Sequence, residues 1–155
     1  MTPISSDDTP EYVPSHNGGA RFSVSFGGED DAEIIQNGLD KYDEAYEPEY
    51  ESAGFYKKLT DKDGRLLAGV IADVHKGDYG FIGAVFAEEA YRRRGLGTAL
   101  LREAEKFAKE NGTSLILSYA GDWNVGFFEK NGYLQRGVLK DVPEGHDCYE
   151  LYKMI

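Results

Sequence analysis

The residues best suited to bind a ligand form the stretch 91–100, which reads YRRRGLGTAL. It follows an apolar run at 81–87 and opens an amphipathic segment at 96–110, so the pattern predicts a strand, a short basic loop and the first turn of a helix. That first turn presents backbone N–H groups without partners inside the helix, at the positive end of the helix dipole. The two glycines let an anion approach the backbone, and the three arginines add guanidinium donors. The stretch therefore predicts a phosphate site.

The phosphate-binding loop is neither of the two commonest types. The sequence contains no G-x-x-x-x-G-K-[ST], and position 100, where G-x-G-x-x-G needs a third glycine, is Leu100. The motif that does match is R-x-x-G-x-G at 92–97. In this motif the chain resembles the GNAT superfamily of acetyl-CoA-dependent N-acetyltransferases, in which the loop holds the pyrophosphate of coenzyme A. A solvated arginine run beside ordinary turn glycines is the alternative.

A second segment carries the same resemblance. Residues 124–133 read NVGFFEKNGY and look like the family's second motif, commonly Phe-Tyr-Glu-Lys before a glycine and an aromatic residue. A short helix with Phe127 and Phe128 in the core explains the same pattern, and both interpretations hold if Asn124 faces the ligand. The departure is Phe128, where the family often has a tyrosine that can protonate the leaving thiolate.

The resemblance implies how the cofactor binds. In this family the sheet splays between two parallel strands, here 79–87 and 114–119, and the pantetheine arm of acetyl-CoA pairs with the exposed strand edge. No metal is implied. The residues assigned to the cofactor by the resemblance are Val85, Phe86 and Ala87 on the strand edge, Arg92, Arg93, Arg94, Gly95, Leu96, Gly97 and Thr98 at the pyrophosphate, and Asn124, Phe127 and Lys130 from the second motif.

Acetyl transfer from a thioester to an amine requires a neutral amine, a hydrogen-bond donor for the oxyanion and a proton for the thiolate. An aligned amine can attack directly, so no covalent enzyme intermediate is needed. By resemblance, a backbone N–H near Ala87 serves the oxyanion. Tyr119 is the candidate to replace the missing tyrosine, and His75 and Glu88 are the candidate bases. Each of these three side chains also fits a packing or surface role.

The acceptor pocket is expected beside the acidic segment 40–51, because in GNAT proteins the chain after the first strand shapes that pocket. Carboxylates there would attract a cationic amine such as a polyamine, an aminoglycoside, or a lysine or N-terminal amine of a peptide. A solvated acidic helix is the alternative. The candidate acceptor-binding residues are Glu47, Tyr50 and, in the last hairpin turn, His146.

The elements that position these residues follow from apolar periodicity and turn residues. Their order matches the GNAT acyltransferase fold: an α+β domain with a mixed sheet of six to seven strands, splayed between the fourth and fifth, and about four helices. Asp122 is expected to cap the helix at 123–130. The predicted strands are 21–26, 54–60, 65–74, 79–87, 114–119, 133–139 and 148–155; the helices are 30–42, 96–110 and 123–130, with 46–50 a short helix or a loop.

Composition restricts the class of protein. A chain of 155 residues fits one domain, predicted at 21–155 after a mobile tail at 1–20 that is rich in Pro, Ser, Asp and Gly. The net charge of −11 argues against nucleic acid as a partner. No apolar run is long enough for a membrane span, no signal peptide is recognisable and Cys148 is the single cysteine, so a cytoplasmic location is expected.

Three functions compete at this stage. The first is an N-acetyltransferase acting on a small-molecule or peptide amine, with a homodimer left open. The second is a non-catalytic acyl-CoA-binding or regulatory module on the same fold, which Phe128 keeps in contention. The third, a polyanion binder using the arginine run, is opposed by the overall negative charge.

Overall fold

The computed structural model describes residues 11–12, 23–46 and 51–155. The chain divides into two compact units, residues 1–49 and 50–155, which are described separately. Most of the predicted tail at 1–20 lies outside the described residues, as does 47–50. A single domain over 21–155 stays a prediction. Within the described residues, no helix is both long enough and apolar enough to cross a membrane.

The first unit contains two short strands and one helix. Strand β1 (Glu11–Tyr12) pairs antiparallel with β2 (Ser23–Val24), which is the described part of the strand predicted at 21–26. Helix α1 (Glu29–Asp43) confirms the helix predicted at 30–42. Three acids in its first turn face the positive end of the helix dipole, where negative charge is stabilising.

The second unit is a six-stranded sheet in the order β3-β4-β5-β6-β8-β7. All neighbours are antiparallel except β5 and β6, which are parallel. This mixed sheet, with its helices, confirms the predicted fold class. The strands are β3 (Ser52–Thr60), β4 (Leu66–His75), β5 (Tyr79–Ala87), β6 (Leu115–Gly121), β7 (Leu134–Leu139) and β8 (Cys148–Met154); the helices are α2 (Leu96–Glu110) and α3 (Val125–Lys130), with a 3-10 turn at Glu89–Tyr91.

Side-chain and backbone contacts hold the hairpin between β3 and β4, which correspond to the strands predicted at 54–60 and 65–74. The carboxylate of Asp61 accepts the backbone N–H groups of Asp63 and Arg65, each at 2.9 Å. Gly64 takes a φ of +82°, a left-handed conformation that favours glycine. These contacts turn the chain back on itself and align β3 with β4.

Helix α2 covers one face of the sheet and forms the core with it. Leu100, Leu101, Ala104 and Ala108 are buried on the sheet side, and Phe107 stacks near Phe55 of β3 with ring centres 4.9 Å apart. Full burial of a leucine stabilises a fold by about 1.5–3 kcal/mol, so this face anchors the helix. The anchored helix then fixes its own first turn, where the arginine and glycine motif lies.

The parallel strands β5 and β6 separate partway along their length, as predicted. They pair only from Tyr79 with Leu115 to Ile82 with Ser118, although both strands continue. The hydroxyl of Ser118 donates to the carbonyl oxygen of Ile82 at 3.0 Å across this last pair. The point of separation is called the fork below.

A bulge in β5 lies directly at the fork. Ile71 of β4 pairs with Ala84, but its neighbour Ala72 pairs with Ile82, so Gly83 is an extra residue in β5. Bulges bend a strand and increase its twist, which turns the following residues away from β6. Gly83, Ala84 and Phe86 are consequently exposed, so β5 is not covered on both faces beyond the fork, although the run at 81–87 is apolar.

The predicted helix cap at Asp122 is also wrong. Helix α3 begins at Val125, its N-cap residue is Asn124, and no side chain bonds to the cap position. Asp122 lies within the preceding turn, closed by a 3.0 Å bond from the Asn124 N–H to the Gly121 carbonyl. Its carboxylate contacts His146 instead, in the hairpin between β7 and β8.

Candidate active site

The fork opens into a cavity of about 490 Å³ between β5, β6, α3 and the first turn of α2. Eleven of the thirteen residues that the resemblance assigns to the cofactor line it. The wall also contains Tyr119, together with five residues that were not predicted there as ligands: Gly83, Ala84, Tyr91, Ser118 and Phe128. The eleven are Val85, Phe86, Ala87, Arg92, Arg93, Gly95, Leu96, Gly97, Thr98, Asn124 and Phe127.

The basic loop enters α2 through two left-handed residues. Arg93 has a φ of +60° and Gly95, the N-cap residue, has a φ of +79°. Arg92 donates from Nε to the carbonyl oxygen of Ala87 at 3.0 Å, which ties the loop to the end of β5. No acid lies in the first turn of α2, so its N–H groups and positive dipole end are available to an anion.

Gly97 keeps the cavity open where α2 approaches the opposite wall. A Cβ atom at this position would lie 3.2 Å from Cε2 of Phe127 and 3.5 Å from Cγ1 of Val85. A larger side chain would displace Phe127, which itself lines the cavity. The absence of a side chain at position 97 therefore leaves Phe127 undisplaced in the cavity wall.

Arg94 and Lys130, the other two predicted cofactor residues, lie outside the cavity wall. The guanidinium of Arg94 sits 5.2 Å from the ring centre of Tyr91, at cation–π distance. Lys130 is the last residue of α3. Their roles toward phosphate stay predictions.

The wall near the fork carries the candidate proton donor. Tyr119 is 55% exposed, and its ring lies 5.9 Å from that of Phe81. Phe128, also in the wall, has no proton to give and packs against Tyr133 at 5.3 Å. Tyr133 does not replace it, because that side chain is buried; burial first, and then Glu105, raises the pKa of its hydroxyl.

The two candidate bases lie away from this wall. His75 ends β4, where its Nδ1 is 3.2 Å from the hydroxyl oxygen of Ser52 and its ring stacks on Tyr79 at 4.6 Å. Glu88 follows β5, and its backbone N–H donates to the carbonyl oxygen of Leu67. The structure brings neither side chain to the cavity.

The predicted acceptor residues divide into two groups. Glu47 and Tyr50 lie outside the described residues. His146 lies at the end of β6, beside Asp122 and Trp123. Trp123 directly precedes Asn124 of the cavity wall. Sequence reasoning missed the contact between Asp122 and His146, because those residues are 24 positions apart and only the pairing of β6 with β8 joins them.

The described residues hold no group of three or more His, Cys, Asp or Glu side chains placed to bind a metal ion. The arrangement offers instead an unpaired strand edge, a helix N-terminus with basic residues and a tyrosine hydroxyl around one cavity. These groups can pair with an extended amide-containing chain, bind phosphate and transfer a proton.

Comparison with known proteins identifies the family. Residues 25–133 match the model of the Acetyltransferase (GNAT) family, which is more than half of the chain. The chain therefore belongs to the GNAT family of acetyltransferases. The matched segment includes both the basic loop and the second motif.

Individual relatives agree with this assignment. An uncharacterised N-acetyltransferase of Methanocaldococcus jannaschii is 27% identical over 122 residues, which cover 66% of this chain and 53% of the relative, so the chain spans about half the length of that curated protein. The crystal structure of an acetyltransferase from Bacillus cereus superposes with a TM-score of 0.80 at 26% identity, covering 85% of this chain and 96% of that one.

A third comparison supports the fold alone. A crystal structure from Agrobacterium tumefaciens, assigned to the acetyltransferases, superposes with a TM-score of 0.73 at 22% identity. The superposition covers 86% of this chain and 98% of the other. The described architecture is thus shared with proteins of similar size.

Proposed function

We propose that this protein is an acetyl-CoA-dependent N-acetyltransferase that transfers the acetyl group to a primary amine by direct attack in a ternary complex. The observation that carries the proposal is the fork, where an unpaired edge of β5 leads from Ile82 toward the arginine loop and the first turn of α2. An extended pantetheine arm needs such an edge, and a pyrophosphate needs such a helix end.

The division of labour follows from the wall of the cavity. The backbone of residues 85–87 would pair with pantetheine, and the amides of residues 95–98 would hold the pyrophosphate beside Arg92 and Arg93. The thioester would then lie at the closed end of the fork, near Ser118 and Tyr119. Direct transfer requires no metal ion.

The chemistry assigns one task to each group. The neutral amine attacks the thioester carbonyl, and the oxygen takes the negative charge. The C–S bond then breaks as the carbonyl re-forms, and the nitrogen loses one proton to give the amide. A backbone N–H of β5 beside the fork would stabilise the oxyanion. Tyr119 would protonate the thiolate, a task that Phe128 cannot perform.

A small cationic amine is the acceptor that the charge distribution favours. Asp40, Asp43 and Glu44 cluster at the C-terminal end of α1, where the helix dipole makes acids unfavourable by about 0.3–1 kcal/mol each. Carboxylates in this segment would attract an ammonium group through their long-range field, and a solvated acidic helix is the alternative. Glu51 contributes less, because it is ion-paired with Lys76.

A non-catalytic acyl-CoA-binding module is the second candidate, favoured by one observation. Phe128 occupies a buried position in the cavity wall where a tyrosine would serve the reaction. For either function we propose a cytoplasmic location, in keeping with a chain whose single cysteine is unpaired.

The test is the release of CoA thiol from acetyl-CoA with a panel of polyamines, aminoglycosides, amino acids and short peptides. We expect release that depends on one class of amine, with rates for cationic amines that fall as salt is added. Acetyl-CoA binding, followed by calorimetry in parallel, separates the two candidates. Binding without release for any amine would favour the binding module.

A further inference from the structure

A histidine and a carboxylate meet at the end of β6, outside the cavity wall. Nδ1 of His146 lies 3.0 Å from Oδ1 and 3.3 Å from Oδ2 of Asp122. Both side chains are about half exposed, at 51% and 40%. In the part of the chain that the structure describes, no residue forms a hydrogen bond with Nε2 of this imidazole.

Packing fixes the imidazole from a second direction. The indole of Trp123 meets the His146 ring edge-on, with centres 5.2 Å apart and planes at 88°. That indole covers Gly121, where a Cβ atom would lie 2.5 Å from the ring carbons. Position 121 must therefore lack a side chain for the indole to adopt this place, while the indole itself stays 63% exposed.

Backbone and ionic contacts hold the hairpin that carries His146. The Asp122 N–H donates to the Asp147 carbonyl at 3.0 Å, and the Asp147 carboxylate bonds Lys140 at 2.6 Å. The Asp141 carboxylate accepts the Gly145 N–H at 2.6 Å. The charged groups around the imidazole are thus Asp122, Asp141, Asp147 and Lys140.

This arrangement has the chemical form of an oriented base. A carboxylate that accepts Nδ1–H selects the tautomer in which Nε2 carries a lone pair, and it stabilises the imidazolium formed when Nε2 takes a proton. A contact that only joined the two loops would need no more than a hydrogen-bond donor to the Asp122 carboxylate, which an asparagine side chain supplies. A histidine adds the capacity to accept a proton near neutral pH.

The pair lies close in sequence to the reactive end of the cavity. Asp122 is between Tyr119 and Asn124, both in the wall. Asp122 is three residues after Tyr119, so their Cα atoms are at most about 11 Å apart, a distance that an imidazole side chain and one bridging water molecule can cover. An amine approaching the thioester beside Tyr119 would then come within reach of Nε2 through water.

We propose that His146, oriented by Asp122, accepts the proton of the acceptor ammonium group. Nε2 forms the new N–H bond, the amine keeps the electron pair, and that pair attacks the thioester carbonyl carbon. His146 later returns this proton to solvent. The thiolate takes the proton of the Tyr119 hydroxyl, and the resulting tyrosinate is reprotonated by the second proton, which the nitrogen loses as the amide forms. This inference rests on the proposed function, since it names the base of that reaction.

The test compares two asparagine variants of the full chain. His146→Asn keeps a donor that can reach Asp122 and removes the proton acceptor, so the tie survives. His75→Asn is the matched control, because His75 also bonds through Nδ1 and lies outside the cavity wall. The measurements are kcat/KM against pH with the best amine of the panel, acetyl-CoA affinity by calorimetry, and Tm.

For His146→Asn we expect kcat/KM to fall about 100-fold near pH 7, with unchanged acetyl-CoA affinity. The deficit should shrink above about pH 9, where more of the amine is neutral without a base. Asp122→Asn should cost about tenfold with a similar pH dependence, and His75→Asn should match the wild type. If the His146–Asp122 hydrogen bond were only structural, the loss of kcat/KM in the variants would not depend on pH.

Three results would overturn the proposal. His146→Asn with wild-type kcat/KM at every pH would overturn it alone, leaving the acetyltransferase intact. A loss of kcat/KM that is independent of pH and also occurs in His75→Asn would mean that the loss comes from impaired folding. Acetyl-CoA binding without turnover of any amine by the wild type would overturn both the base and the proposed function.

Discussion

The two ends of the cavity are built in different ways. The end at α2 comes from one continuous stretch, the end of β5 and residues 91–98, and its main groups are backbone amides. The end at the fork combines Tyr119 of β6 with Phe128 of α3, and the adjoining cluster adds His146 from the last hairpin. The first end depends on backbone conformation and the second on side chains brought together by the fold.

This difference determines which substitutions matter at each end. Where amides hold a ligand, most side chains can vary, and only a residue that blocks the approach is harmful. Where single side chains transfer protons, even a conservative substitution slows the reaction. The following experiments use this contrast, beginning with the largest effect.

Gly97→Val should raise the Kd for acetyl-CoA at least about 100-fold, or about 3 kcal/mol. The new side chain would press on Phe127 and Val85, which line the cavity. Gly126→Ala is the matched control, because a Cβ atom there meets nothing within 4 Å. Isothermal titration calorimetry measures both. Unchanged affinity in the valine variant would mean that the ligand does not lie against the first turn of α2.

Tyr119→Phe should lower kcat about tenfold and leave acetyl-CoA affinity unchanged, because the thiolate loses its proton donor. Adding Phe128→Tyr to that variant should restore part of the rate, since a hydroxyl then returns to the same cavity from α3. Rapid-quench measurement of the chemical step provides the readout. If the single variant reacts as fast as the wild type, proton delivery from Tyr119 does not limit the rate.

Ser118→Ala should lower the free energy of unfolding by about 1–2 kcal/mol, because the hydroxyl that joins β6 to Ile82 is buried and its bond is lost. Ser52→Ala, which removes an exposed hydroxyl at the edge strand, should cost less. Urea denaturation of both variants provides the comparison. Equal decreases in the free energy of unfolding would show that the hydrogen bond at the fork stabilises the fold no more than an exposed one does.

Lys140→Gln should lower Tm by no more than about 2 °C near neutral pH, since the pair with Asp147 is exposed. The hydrogen bond between them lowers the pKa of Asp147 and raises that of Lys140. Stabilisation is therefore lost as pH falls through the lowered Asp147 pKa and as pH rises through the raised Lys140 pKa.

The Tm difference for Lys140→Gln should accordingly disappear below the lowered pKa of Asp147 and above the raised pKa of Lys140. Lys106→Gln provides a control, because its ammonium group is 3.8 Å from Glu110 in an exposed helical pair. Calorimetric scans across pH give the measurement. A difference that persists unchanged in acid would exclude the ion pair as its cause.

Local patterns predicted most of the fold. Helix α2 begins and ends where its apolar period and Asn111-Gly112 place it, and the hairpin at Gly64 follows from turn residues. These features depend on neighbours within a few positions. The fork was predicted from the family resemblance, whereas the bulge at Gly83 that accompanies it depends on register with β4 and was not foreseen.

Contacts between distant residues explain the rest. Asp122 has the residue type of a helix cap, but the turn from Gly121 to Asn124 places it before the helix and beside His146. His75 is a reasonable base by type, yet β4 carries it to the end of the sheet that the cavity does not reach. Residue type predicted what these side chains can do, and only the strand pairings determined where they do it.

The fork depends on how many residues β5 contains, because Gly83 is an extra residue in that strand, and not on which residue occupies position 83. A Cβ atom there would meet only ordinary contacts at 3.7 Å or more, so substitution of this glycine leaves the bulge available. Deletion would shift residues 84–87 by one position, and since side chains alternate along a strand, Phe86 would turn toward α2 and Val85 away from it. The fork would therefore persist after substitution of Gly83 and would be lost if that single residue were deleted.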